Sequence, residues 1–132
     1  MQELLDIGVE EYRIGGGGVL RFHPGDPNLY GRFLQAEEDF GRLQAAFAKD
    51  AATGAEVLEQ MVAADAKMKE LLNGVFGGDN DFHKALGGVN LLSVGADGRT
   101  VAARLLEALE KILTEGARRF AKMQAEKLSV ES

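Results

Sequence analysis

Residues 26–76 have the sequence DPNLYGRFLQAEEDFGRLQAAFAKDAATGAEVLEQMVAADAKMKELLNGVF. In each half, apolar residues recur at alternating spacings of four and three. These are Leu29, Phe33, Ala36, Phe40, Leu43 and Phe47, then Val57, Met61, Ala64, Met68, Leu71 and Val75. This heptad spacing places one apolar row along each helix. Because the rows match in length and a short break at residues 50–54 separates them, the stretch predicts an antiparallel helical hairpin.

The ends of these two helices carry recognisable capping residues. Asp26 precedes Pro27, which combines a capping carboxylate with a proline at the first helical position, so the first helix is predicted to run from there to about Lys49. Thr53 followed by Glu56 has the spacing of a capping box at the start of the second helix. The glycine pair at residues 77–78 is predicted to end that helix.

The first 25 residues alternate apolar and polar side chains, which is typical of strands. The alternating residues are Ile7 and Val9, Tyr12 and Ile14, then Leu20 and Phe22. The glycine run at residues 15–18 supplies a turn, so residues 1–25 are predicted to form a β-hairpin. The change of phase before Tyr12 predicts a bulge or bend near residues 10–11. A two-stranded sheet leaves unpaired backbone groups, which predicts pairing with a second copy or cover from the same chain.

The remainder of the chain is predicted to be helical with one ambiguous stretch. Residues 79–81 can cap a short helix that runs through Leu86, and residues 89–94 are predicted to be either a buried connector or a strand. Asp97 or Thr100 can cap a long last helix, and residues 128–132 are predicted to fray. The last helix carries an apolar stripe of Val101, Leu105, Leu106, Leu109, Ile112, Leu113, Phe120 and Met123. The prediction is one mainly α domain over residues 1–132, with a hairpin at 1–25 and a helical part at 26–127.

Charge and composition exclude several classes of function. The chain has 132 residues and a formal net charge of -6, which disfavours a nucleic acid or an anionic membrane surface as partner. It has no cysteine, so disulfides, thiolate nucleophiles and cysteine-based zinc sites are excluded. The sequence has neither a secretory signal pattern nor an apolar run near the roughly 18 residues that span a bilayer, which predicts a cytoplasmic location.

Motifs that could suggest a ligand fail on their spacing. The glycine run lacks the Gly-Lys-Ser/Thr of a phosphate loop and precedes a strand, so a hairpin turn is the better interpretation. Residues 79–81 offer oxygen ligands, but a calcium loop counted from Asp79 needs glycine and glutamate where the chain has Lys84 and Asn90. His23 and His83 lack a second ligand at metal spacing and are predicted at the surface or near helix caps.

Catalytic groups are not apparent either. The clustered carboxylates are predicted to lie on solvated helix faces, and they are Glu37, Glu38, Asp39, Glu56, Glu59, Glu107 and Glu110. The serines lack the setting of a nucleophile. Met61, Met68 and Met123 are predicted to fill the core, with adaptable contact to an apolar partner as the alternative. The sequence therefore predicts no enzyme, no cofactor, and no catalytic or metal-binding residue.

Several segments together resemble a known group of proteins. They are residues 6–12 (DIGVEEY), 21–24 with 26–27 (RFHP and DP), 75–77 with 79–82 (VFG and DNDF), 86–92 (LGGVNLL) and 105–109 (LLEAL). In these segments the chain resembles small proteins from the tail modules of long-tailed bacteriophages and prophages, the tail assembly chaperones encoded near the tape measure protein. The resemblance covers most of the chain but carries no defined site residues.

The resemblance implies a helper that coats the long, apolar, helical tape measure protein in the bacterial cytoplasm until the tail tube assembles. The wide apolar stripes fit a protein that binds another amphipathic helix, although they could also pack entirely within the chain. Two alternatives remain open: a structural tail component that self-assembles through its hairpin, and a small enzyme. The residues that would bind the partner are not predicted.

Overall fold

Two strands and four helices make up the part of the chain that the computed structural model describes, residues 4–15, 17–50 and 53–131. In chain order they are β1 (Glu10–Arg13), β2 (Val19–Phe22), α1 (Pro27–Asp50), α2 (Gly54–Phe76), α3 (Phe82–Ala85) and α4 (Val101–Glu131). This order confirms the predicted mainly helical fold with an N-terminal hairpin. Four residues of the predicted turns and tail (Gly16, Ala51, Ala52 and Ser132) lie outside the described part, as does the side chain of Phe47.

Helices α1 and α2 form the predicted antiparallel pair. The Asp26 carboxylate accepts a hydrogen bond from the backbone N–H of Asn28 at 3.0 Å, and α1 begins at Pro27. Thr53 caps α2, because its hydroxyl accepts from the N–H of Glu56 at 3.1 Å. The Arg32 guanidinium on the first turns of α1 donates to the carbonyl of Val75 at the end of α2, at 3.0 Å, which fixes the antiparallel arrangement.

The core lies between the two helices, the hairpin and the first half of α4. The first four predicted row residues of α1 are buried, and on α2 burial concentrates in the second half of the helix. The apolar core consists of Leu20, Phe22, Leu29, Phe33, Ala36, Phe40, Met68, Leu72, Val75, Phe76, Phe82, Ala85, Leu86, Leu91, Ala102, Leu109 and Leu113. Phe76 joins the aromatic residues of the core, since its ring lies within 4.9–6.4 Å of the rings of Phe22, Phe33 and Phe82, measured between centroids.

The hairpin is shorter than the sequence predicts. Glu10 pairs with Phe22 and Tyr12 with Leu20, in a regular antiparallel register without a bulge. The strand prediction for Ile7 and Val9 was wrong, because both residues precede β1. Their side chains are 59% and 50% exposed, respectively. The register explains why: extending the ladder two residues beyond Glu10 would oppose Pro24, which has no N–H to donate.

Residues 77–100 form a connector around the short helix α3. Gly77 and Gly78 both have positive φ values (59° and 58°), and they end α2 as predicted. The Asp81 carboxylate caps α3 by accepting from the N–H groups of His83 and Lys84. Of the two predictions for residues 89–94, the connector is confirmed: Leu91 is fully buried there, and a single bridge joins Val94 to Thr100.

Helix α4 changes its surroundings along its length. The Thr100 hydroxyl caps it by accepting from the N–H of Ala103 at 3.1 Å. Near its middle, Gly116 lies so close to the bend after β2 that an added Cβ would be 2.0 Å from the carbonyl oxygen of Pro24. Beyond this point every residue from 118 to 128 is exposed. The helix ends at Glu131, so it continues through four of the five residues for which the sequence predicts fraying.

Candidate functional site

An apolar groove opens between β1 and the first half of α4. It encloses about 420 Å³. Its walls are mostly apolar side chains from the hairpin, the connector and α4, together with two arginines. The lining residues are Tyr12, Arg13, Ile14, Gly15, Leu20, Leu86, Val89, Val101, Arg104, Leu105, Ala108, Leu109 and Ile112. A groove of this composition can bind an apolar side chain or an amphipathic segment.

The spacing of residues on α4 explains why one wall of the groove is continuous. Val101, Leu105 and Ile112 line it at helical spacing, so they fall on one face of the helix. From Val101 to Ile112 this wall is about 16 Å long at 1.5 Å per residue, which corresponds to about three helical turns. These three side chains are only half-buried, because they pack on the core on one side and border the groove on the other.

The hairpin supplies the opposite wall through alternate residues of β1. Tyr12 and Ile14 are half-buried and face the core and the groove, whereas Glu11 and Arg13 are exposed. The Tyr12 ring stacks on that of Phe22 with centroids 4.7 Å apart. Burial, and then a hydrogen bond from its hydroxyl to the Glu10 carboxylate, raises the pKa of Tyr12 to about 12. Tyr12 therefore stays neutral across the physiological range and presents an apolar ring to the groove.

A network of buried polar groups, which was not predicted from the sequence, lies behind the connector. The Lys69 ammonium, 4% exposed, donates to the Asp65 carboxylate at 2.9 Å, to His83 Nδ1 at 2.8 Å and to the carbonyl of Val89 at 2.8 Å. The other oxygen of Asp65 accepts from the N–H of Leu91 at 2.8 Å. Because an ammonium group has three protons and no acceptor, all three are used and His83 Nδ1 is the acceptor. This arrangement holds the connector, including Val89 at the groove, against α2, and it leaves Lys69 no free proton for chemistry.

A signal for this network was present in the sequence. On α2, a second row lies beside the predicted apolar row. In it, Val62, Asp65, Lys69 and Leu72 follow one another at spacings of three and four. Opposite charges four residues apart within an apolar row indicate a buried pair. Leu58 and Val62, at the start of this row, are 64% and 65% exposed.

Two carboxylates from different helices meet outside the groove. Glu37 on α1 is half-buried and lies beside Glu110 on α4. Burial raises the pKa of Glu37 the most, and the charge of Glu110 and a hydrogen bond with it raise this pKa further. This corrects the prediction that the clustered carboxylates all lie on solvated faces. The pair therefore marks a contact between α1 and α4 that includes one hydrogen bond between carboxyl groups.

The remaining candidate residues take structural positions. His23 Nδ1 accepts from the N–H of Gly25 at 3.2 Å in the bend after β2, in agreement with a role near a helix cap. Met68 is fully buried as core, whereas Met123 is 68% exposed. Within residues 4–15, 17–50 and 53–131, no three His, Asp or Glu side chains come together in a group that could hold a metal ion. In the same part of the chain, no helix is both long and apolar enough to cross a membrane.

Comparison of the chain with protein-family models, curated protein sequences and solved structures finds no match in any of the three.

Proposed function

We propose that this chain is a tail assembly chaperone-like protein that binds an apolar helical segment of a longer protein, such as the tape measure protein of a phage tail. The observation that carries the proposal is the apolar groove between β1 and α4. Its α4 wall is about three helical turns long, which exceeds the roughly two turns over which an amphipathic helix presents anchors at i, i+4 and i+7. The resemblance of the sequence to tail assembly chaperones supports the choice of partner.

Exposed apolar side chains elsewhere support a client that is long and apolar. They include Leu58 and Val62 on α2, and Phe120, Met123 and Leu128 on the second half of α4. Surface of this kind often marks contact with another protein. A long tape measure helix offers repeated apolar segments, so several copies of a small chaperone can cover it along its length.

The direct test is co-expression with the longest protein encoded in the neighbouring tail module. We expect that protein to become soluble and to co-elute with this chain in gel filtration. Equal solubility with and without this chain, and no complex on the column, would show that the chaperone proposal is wrong.

A pair of variants ties the complex to the groove. Val89 lines the groove and is 45% exposed, so Val89→Lys should place a charge in the binding site with little effect on folding. Val94→Lys makes the same substitution at a 66% exposed position of the connector that does not line the groove. We expect Val89→Lys to weaken the complex and Val94→Lys to leave most of it intact. The opposite result would show that the groove is not the binding site.

A structural tail component is the second candidate, and the open outer edge of β1 favours it, because an unpaired strand can add copies. The presence or absence of this chain in finished tails distinguishes the two candidate functions. A chaperone is absent from finished tails, whereas a structural component is retained, and mass spectrometry of purified particles distinguishes them.

A further inference from the structure

The outward-pointing backbone N–H and C=O groups on the two edges of the hairpin differ in whether they have hydrogen-bond partners. On the outer edge of β2, the side-chain amide of Asn80 acts as a short strand: its oxygen accepts from the N–H of Arg21 and its nitrogen donates to the carbonyl of Arg21, both at 2.8 Å. One residue before β2, Gly18 packs so closely on the backbone of Ala85 that a Cβ would be 2.0 Å from the Ala85 oxygen. The chain therefore covers the β2 edge itself.

The outer edge of β1 has no such cover among the described residues, where the sheet consists of β1 and β2 alone. The direction of its backbone groups follows from the ladder. Ile14 donates to the Gly18 carbonyl at 2.8 Å, so Ile14 and Gly18 form a hydrogen-bonded pair, and every second pair along the ladder repeats this. Glu11 and Arg13 belong to the intervening pairs, and their N–H and C=O groups point outward. The groove lies beside this edge, because Arg13 and its neighbours line it, so a strand paired here and the client helix of the proposed function would compete for the same space.

We propose that β1 pairs antiparallel with β1 of a second copy, which joins two hairpins into one four-stranded sheet. Only residues whose backbone groups point outward can form the new hydrogen-bonded pairs, which limits the register. Two registers place like charges opposite each other, Glu11 opposite the partner's Glu11 or Arg13 opposite the partner's Arg13. A third places Glu11 opposite the partner's Arg13 and Arg13 opposite the partner's Glu11.

Charge selects the third register. Directly opposite residues on antiparallel strands share a face about 5 Å apart, where like charges repel and opposite charges attract. Glu11 already pairs with Arg21 of its own chain at 3.1 Å on this exposed face. The partner's Arg13 would extend this ion pair to a row of three alternating charges: Arg21, Glu11 and the partner's Arg13. Two-fold symmetry creates the same row a second time. The pairing closes as a dimer because both β1 edges are used.

The test is a charge swap followed by sedimentation of the purified full chain over a range of concentrations. The native protein should form dimers, with a mass that rises with concentration. Glu11→Arg alone or Arg13→Glu alone should raise the dimer dissociation constant at least about tenfold, because each creates two like-charged pairs. Mixing the two variants should restore association, because Arg at position 11 then faces Glu at position 13 in one pair, and the native residues form the other.

Matched controls keep the result interpretable. Lys122→Glu makes the same charge change as Arg13→Glu on the exposed half of α4 and should dimerise like the native chain. Thermal midpoints identify any loss of folding, which is a concern for Glu11→Arg because of its contact with Arg21. Arg13→Glu lacks that concern, since residue 13 pairs with Val19. A native chain that stays monomeric, single variants that dimerise normally, or folded variants that fail to associate when mixed would each overturn the proposal. The experiment uses no client protein, so its outcome is independent of the proposed function.

Discussion

Replacing Lys69 with methionine is expected to destabilise the protein by about 3 kcal/mol, because it breaks a buried ion pair and leaves one charge behind. The magnitude follows from the three hydrogen bonds of the ammonium group, to Asp65, His83 and the carbonyl of Val89. After the substitution, Asp65 keeps only its bond from the N–H of Leu91, and the Val89 carbonyl loses its donor. Removing one partner of a buried ion pair costs about 3–5 kcal/mol. The lower value applies because the apolar methionine side chain fills part of the space of the Lys69 side chain.

The assay is urea unfolding followed by circular dichroism, with the free energy of unfolding obtained by linear extrapolation. Lys67→Met is the matched control. Lys67 lies two residues away on the exposed face of α2, and its replacement should change the free energy by less than about 0.5 kcal/mol. The double variant Asp65→Asn with Lys69→Met should lose less than the sum of the single variants by about 2 kcal/mol, because an asparagine oxygen still accepts from Leu91 without carrying a charge. A loss below about 1 kcal/mol for Lys69→Met, or strictly additive effects, would refute the buried network.

Three further predictions follow from the packing. Gly116→Ala should lower the thermal midpoint, because the added methyl group meets backbone at 2.0 Å, whereas Gly41→Ala, with nothing within 4 Å, should stabilise the protein by about 1 kcal/mol. If Gly116→Ala and Gly41→Ala both raised or both lowered the stability, the close approach of Gly116 to Pro24 would be contradicted. The raised pKa of Glu37 means that its ionisation costs stability as pH rises through that pKa, so Glu37→Gln should stabilise by about 0.5 kcal/mol at pH 8 and not at pH 4. A gain that is independent of pH in urea unfolding would exclude contact with Glu110. Phe40→Ala should cost about 3–5 kcal/mol, since Phe40 is 2% exposed, and a measured loss below about 1 kcal/mol would place it outside the core.

Local patterns in the sequence were sufficient for the elements and their ends. The heptad rows predicted α1 and α2, and the caps at Asp26, Thr53 and Thr100 were each confirmed by a hydrogen bond from the helix backbone. Such features depend on residues within one or two turns, so they can be recognised without knowing what the element packs against. The same reasoning was wrong for Ile7 and Val9, where alternation was present but the opposing segment runs into Pro24 and supplies no further ladder.

What each element packs against was decided only by the tertiary structure, because it depends on residues far apart in the chain. Asn80 completes the edge of β2 from 59 positions away, and Asp65 holds Leu91 from 26 positions away. The groove likewise exists only where β1, the connector and α4 come together. Periodicity indicates which face of an element is apolar, but it cannot say whether the surrounding chain covers that face. For this reason Met68 and Met123, equivalent in the sequence as apolar residues on helical stripes, end in the core and on the surface.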